Sequence, residues 1–215
     1  MPDHPLADPS APPAAPTAPW RAIPHAAGED LWVFAYGSLM WNPGFVHDRR
    51  LDAWLQGWHR GFCVYSWRHR GTPEVPGAVV GLDRGGACRG VAYRIPAAQV
   101  EPSLAYLWER EMVNGVYRPR ILPIRSQRRA GPATLRALAF TVDRSHRQYC
   151  GRLPVQDLVT LVRQGVGQSG RATDYLSGLV GHLRDLGIHD HLLEDLAARV
   201  MSVEAGDAEA EAAAR

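Results

Sequence analysis

Short apolar runs, each stopped by Gly or Pro, fill the first two thirds of this chain, and helical stripes fill the last third. Leu31-Trp32-Val33-Phe34-Ala35-Tyr36 is an apolar and aromatic run halted by Gly37-Ser38, the pattern of a buried strand entering a tight turn. Further strand-like runs occupy Ala53 to Trp58, Phe62 to Trp67, Ala78 to Leu82 and Cys88 to Ile95. Gly71, Pro73, Pro76, Gly77, Gly85 and Gly86 punctuate them as a meander of hairpins, with Gly85-Gly86 read as a hairpin turn. Pro96 closes the last run, and Pro102 is placed to open a helix as its first residue, running through Met112. Strands over Tyr117 to Arg125 and Leu135 to Val142 follow. After Pro154 the pattern predicts helices over Val155 to Gln164, Ala172 to Leu186 and His191 to Val200. Many short strands with helices beside and after them predict an α+β fold: a small mixed β-barrel or curled sheet with flanking and C-terminal helices.

Eight of the 17 Pro fall in residues 1–28, mixed with Ala and Ser, so this stretch reads as a disordered or polyproline-like tail. Residues 29–202 form one domain, and the acidic, Ala-rich residues 203–215 read as a second tail fraying from the last helix. A net charge of +2 gives no surplus to draw the protein to nucleic acid or a membrane. All 24 basic residues are Arg, and without any Lys the chain has no Schiff-base nucleophile, pyridoxal-phosphate anchor or Walker lysine. The three Cys, at Cys63, Cys88 and Cys150, form no CxxC pair, which disfavours a zinc ribbon or disulfide framework and points to a reduced, cytoplasmic protein. The N-terminus lacks the basic-then-apolar order of a signal peptide, and no run approaches the ~18 apolar residues of a membrane span.

Two features carry chemistry. On the Pro102–Met112 helix, Leu104, Leu107 and Trp108 define a core-facing stripe whose next position, i+7, is Glu111. A carboxylate stands where the helix expects Leu, and desolvation there raises its pKa toward the range useful for moving protons. The competing structural role is a pair with a nearby Arg. Glu109 points off the stripe, to solvent. The second feature is the turn Tyr36-Gly37-Ser38-Leu39, where successive backbone N–H groups can hold a carboxylate or phosphate and Ser38 can add a hydroxyl. It is not a GxSxG elbow, because Tyr36 and Met40 stand where the outer glycines belong. The nine His show no metal-binding spacing; His189 and His191, two apart, do not share a helix face. Arg49/Arg50, Arg68/Arg70 and Arg128/Arg129 with seven Trp are a weak signal for nucleic acid, nearly balanced by acidic residues.

Five stretches carry a resemblance: Val33 to Pro43, His69-Arg70-Gly71-Thr72-Pro73 with Pro76-Gly77, Gly90 to Arg94, Leu107 to Met112, and Ser169 to Leu176. In this order, over Leu31 to Leu196, they resemble the ChaC-like γ-glutamylcyclotransferases, the glutathione-specific branch of that group. The resemblance implies a small β-barrel with flanking helices that cleaves glutathione to 5-oxoproline and cysteinylglycine without metal or organic cofactor. It makes Glu111 the catalytic residue, Tyr36, Gly37, Ser38 and Leu39 the substrate-holding loop, and Tyr175 a binding residue. Other γ-glutamyl amino acids or amines are alternative substrates, with the leaving-group pocket near Arg68 to Gly71; a non-catalytic binding module is the alternative of another class.

Overall fold

Leu31–Ala35 is apolar throughout because the strand it forms is covered on both faces. This strand, β1, pairs antiparallel with β3 (Gly77–Ile95), from Leu31↔Ile95 to Ala35↔Val91, and parallel with β5 (Leu135–Val142) at Trp32↔Ala137. β2 (Arg49–Ser66) lies beyond β3, and β4 (Tyr117–Ser126) joins β2 to β5, so the order β1-β3-β2-β4-β5 closes a barrel, as the chain's pattern predicts. The computed structural model describes residues 18–126 and 134–213, with side chains as far as residue 206. Val33, Leu55, Leu82, Ile95, Ile124 and Leu138 are fully buried in the core, against which α1 (Val100–Glu111) and α3 (Ala172–Asp185) pack.

The four runs from Ala53 to Ile95 are two strands, not a meander. β2 and β3 pair from Arg49↔Arg94 to Ser66↔Gly77, and residues 67–76 are their only connection. Gly85-Gly86 is therefore not a hairpin turn. The register shifts between Gln56↔Ala87 and Trp58↔Arg84, where Gly57, Gly85 and Gly86 have φ of +80°, +103° and +67°. Left-handed backbone at these positions bends the ribbon without ending the ladder, and both devices use the same residue type.

Pro102 also departs from expectation. A 3-10 turn at Ala97–Gln99 leads into α1 at Val100, so Pro102 is the third helical residue, still inside the first turn where no N–H donor is required. On α3, Leu176, Leu179, Val180 and Leu183 form the buried i, i+3, i+4, i+7 stripe. α2 spans Val155–Gln164, and a small hairpin of β6 (Val166–Gly167) and β7 (Gly170–Arg171) precedes α3. α4 (His191–Ala213) does not stop at Val200: its Ala- and Glu-rich continuation remains helical, as the propensities of those residues allow. At the other end, residues 1–17 of the expected tail lie outside the described residues, but Pro19–Ala22 is a 3-10 turn docked on α1. Trp20 and Arg21 donate to Glu101, and Ile23 is buried, so the tail boundary is not at residue 28.

The loop after β2 is fixed by contact between three backbone passes. Gln168 and Ser169 donate to the carbonyls of Arg68 and His69 at 2.8 and 2.9 Å. A Cβ on Gly77 would lie 1.8 Å from the Arg70 carbonyl oxygen, one on Gly165 2.3 Å from the same atom, and one on Gly167 2.5 Å from the Arg68 oxygen. Only glycine permits this approach. Gly77→Ala is expected to lower stability by ~1–3 kcal/mol through overpacking. Gly181→Ala, on the exposed face of α3 with open space around it, is expected to raise stability by ~0.5–1 kcal/mol. Urea unfolding midpoints check both; an unchanged midpoint for Gly77→Ala would contradict the contact.

Candidate active site

The turn that follows β1 is held at three points. Arg60 of β2, its side chain 3% exposed, donates to the Tyr36 carbonyl, to the Arg89 carbonyl at 2.7 Å and to Asp190 at 3.1 Å. Every arm of this buried guanidinium therefore has a partner, which is what makes its burial tolerable. Arg110 donates to Ser38 Oγ at 2.9 Å, and Tyr93 Oη donates to the Met40 carbonyl at 2.6 Å. Ser38–Met40 is a 3-10 turn, so the N–H groups at its start have no acceptor within it. Residues 36–39 line a cavity of about 440 Å³, within the ~300–1,000 Å³ typical of small-molecule sites.

Glu111 lines the same cavity from the last position of α1. Leu104 and Leu107, on its stripe, are buried in the core and Trp108 packs against it, while Glu109 is exposed. The Glu111 side chain is 17% exposed, and burial raises its pKa above the ordinary 4.5; the neighbouring Arg110 guanidinium, 3.3 Å away, opposes the rise without cancelling it. The helix's own C-terminal partial charge acts in the direction of burial. Both roles foreseen for this residue coexist: it is withdrawn from water and it pairs with an Arg.

Three tyrosines wall the carboxylate. Tyr36 Oη donates to the Phe140 carbonyl at 2.8 Å, and Tyr117 Oη donates to the Val80 carbonyl at 3.0 Å. Tyr175 also hydrogen-bonds the Val80 backbone, and a Cβ on Gly37 would stand 3.7 Å from its hydroxyl and 3.3 Å from Val80 Cγ2. Burial first, and the charge of Glu111 among the further causes, push all three phenols above their ordinary pKa, so they remain neutral donors. His69, which also lines the cavity, bonds Ser169 Oγ at 3.0 Å, and burial, then Arg68, Arg70 and Arg110, hold it below the ordinary histidine value.

The structure thus brings Glu111, Tyr36, Gly37, Ser38, Leu39 and Tyr175 to one cavity. Their parts differ from one another: the Ser38 hydroxyl is occupied by Arg110, the Tyr36 hydroxyl by Phe140, and Leu39 is buried. Of the stretch Arg68 to Gly71, His69 and Arg70 line the cavity. Arg60, Tyr117 and Arg110 escaped the sequence reading; an Arg set between Trp58 and the Phe62–Ser66 run of β2 was the available signal for the first. Among the described residues no three His, Cys, Asp or Glu side chains converge as metal ligands, and no helix is long and apolar enough to cross a membrane.

Comparison with known proteins places this geometry in context. The family model described as "ChaC-like protein" matches residues 31–203. The glutathione-specific gamma-glutamylcyclotransferase of Escherichia coli is 37% identical over 166 residues, covering 77% of this chain and 71% of that one. Human glutathione-specific gamma-glutamylcyclotransferase 1 is 34% identical over 159 residues, covering 73% and 71%. A crystal structure of a yeast gamma-glutamyl cyclotransferase specific to glutathione shares the fold, with a TM-score of 0.73 at 22% identity over 81% of this chain and 99% of that one. On the strength of a match that spans the whole barrel, α1 to α3 and the first part of α4, the chain belongs to the ChaC-like family.

Proposed function

We propose that this protein is a glutathione-degrading γ-glutamylcyclotransferase that releases 5-oxoproline and cysteinylglycine, with Glu111 as its single proton carrier. The observation that carries the reading is a partly buried carboxylate, raised in pKa, lining the same cavity as the Tyr36–Leu39 turn. The relatives at 37% and 34% identity bear the name of that activity. The cysteines described are all free thiols, which fits residence in the reducing cytoplasm.

A γ-glutamyl group carries its own nucleophile, so the protein must fold and deprotonate rather than attack. The open N–H groups of the turn hold the glutamyl α-carboxylate. Ionised Glu111 takes a proton from the α-ammonium, and the freed amine attacks the γ-carbonyl carbon. The new C–N bond closes a five-membered lactam as the old amide C–N bond breaks. Glu111 returns the first proton to the departing cysteinyl nitrogen, then takes the second proton shed by the ring nitrogen and passes it to the same amine, which leaves as an ammonium while the lactam keeps one N–H. No water is consumed and no electrons leave. Because both reacting groups belong to one molecule, holding the bent conformer supplies much of the rate.

Three outcomes follow from this assignment. Glu111→Gln is expected to abolish 5-oxoproline release while calorimetry still detects glutathione binding; release at near wild-type rate would remove Glu111 from the mechanism. Gly37→Val is expected to raise KM for glutathione about tenfold or more, since its side chain crowds Val80 and the Tyr175 hydroxyl at the turn. Stability gives an independent check. The folded-state pKa of Glu111 lies above 4.5, so ionisation costs the folded state nothing below that pH and its full cost once pH passes the raised value. Glu111→Gln should therefore melt above wild type at pH 7, with the gap closing as pH falls toward 4.5. A gap independent of pH would contradict the desolvation.

A further inference from the structure

One cation in the cavity wall has no anionic partner among the described residues. Arg110 is committed to Glu111, Ser38, Tyr106 and the Asn42 carbonyl. Arg70 is not so committed. Its Nη1 donates to the Arg171 carbonyl at 3.1 Å, and its guanidinium lies 5.3 Å from the centroid of the Tyr175 ring, leaving most of its five donors for something else. The group is preorganised. Its backbone N–H donates to Ser66 Oγ at 2.9 Å, and its carbonyl is wedged against Gly77 and Gly165. His69 beside it is held neutral, so Arg70 is the charge at that side of the cavity.

Glutathione brings three ionised groups at neutral pH: the glutamyl ammonium, the glutamyl carboxylate and the glycine carboxylate. On the cyclotransferase reading, on which this inference rests, Glu111 answers the first and the turn answers the second. We infer that Arg70 binds the glycine carboxylate of the departing cysteinylglycine, and so selects glutathione over γ-glutamyl amides whose far end is uncharged. Arg70, Tyr175 and Glu111 line one cavity, with the Arg70 guanidinium 5.3 Å from the Tyr175 ring centroid, and a two-residue leaving group extends over about 7 Å. A charge-assisted, forked contact of this kind discriminates strongly against a neutral isostere.

The test compares glutathione with its C-terminal amide. Wild type, Arg70→Met and Arg70→Lys are assayed for 5-oxoproline release, and the Kd of each ligand is measured by calorimetry on Glu111→Gln with and without Arg70→Met. Wild type is expected to favour glutathione by about tenfold or more in kcat/KM, and Arg70→Met to bring that ratio within about threefold of one, mostly through KM, with Arg70→Lys retaining part of it. The Kd ratio on the Glu111→Gln background should collapse in parallel. Equal handling of both ligands by wild type, or an equal loss on both in Arg70→Met, would overturn the assignment. The underlying reading fails differently: binding would discriminate between the ligands through Arg70 while neither yielded 5-oxoproline, which retains the carboxylate contact and removes the reaction.

Discussion

An ionisable carboxylate taken out of water at the end of a helix is the constraint around which this molecule is arranged. Burial and the α1 terminus both disfavour the charge on Glu111, and Arg110 returns only part of what is lost. Three neutral tyrosines share the cavity wall with Arg110 and Arg70, and Glu111 keeps a pKa raised above the ordinary 4.5. A leucine at this position would complete the apolar stripe of α1. A carboxylate stands where packing would prefer a leucine, and breaks of a local rule of this kind are expected at functional sites.

A group so placed is useful only if its partner surface stays still. Hydrogen bonds from three different elements meet on the Tyr36–Met40 turn: Arg60 from β2, Tyr93 from β3 and Arg110 from α1. Arg110 bonds the turn with one arm and approaches the carboxylate with another, so the two halves of the site share one rigid connection. Elsewhere in the wall, glycines at 77, 165 and 167 let the β2–β3 loop and the β6–β7 hairpin touch backbone to backbone, which fixes the backbone of Arg70 and His69. Side chains supported in this way need little reorganisation when a ligand arrives.

Much of this was legible in the chain because local pattern and tertiary role coincide. The β1 run, the β5 run and the α2 and α3 stripes fold where their periodicity puts them, and Glu111 announced itself by breaking a stripe. The failures have a shared physical source. Glycine marks a turn, a bulge and a close backbone contact alike, so Gly85-Gly86 read as a turn and Gly77 as punctuation when one is a bulge and the other a contact between distant segments. Arg60, Tyr117 and Arg110 acquire their roles only through partners far along the chain or on another element, and no window of sequence contains those pairings.

Arg70 and Glu111 line one cavity with opposite charge: a carboxylate paired with Arg110 and a guanidinium stacked over Tyr175 that has no anionic partner among the described residues. The claim beneath this arrangement is that a desolvated carboxylate governs turnover, and the pH dependence of kcat/KM for glutathione tests it most directly, because that profile reports the free enzyme's essential base. The account predicts activity that falls with acidification through an apparent pKa above the ordinary 4.5 of a glutamate. An acid limb at or below 4.5 would contradict it.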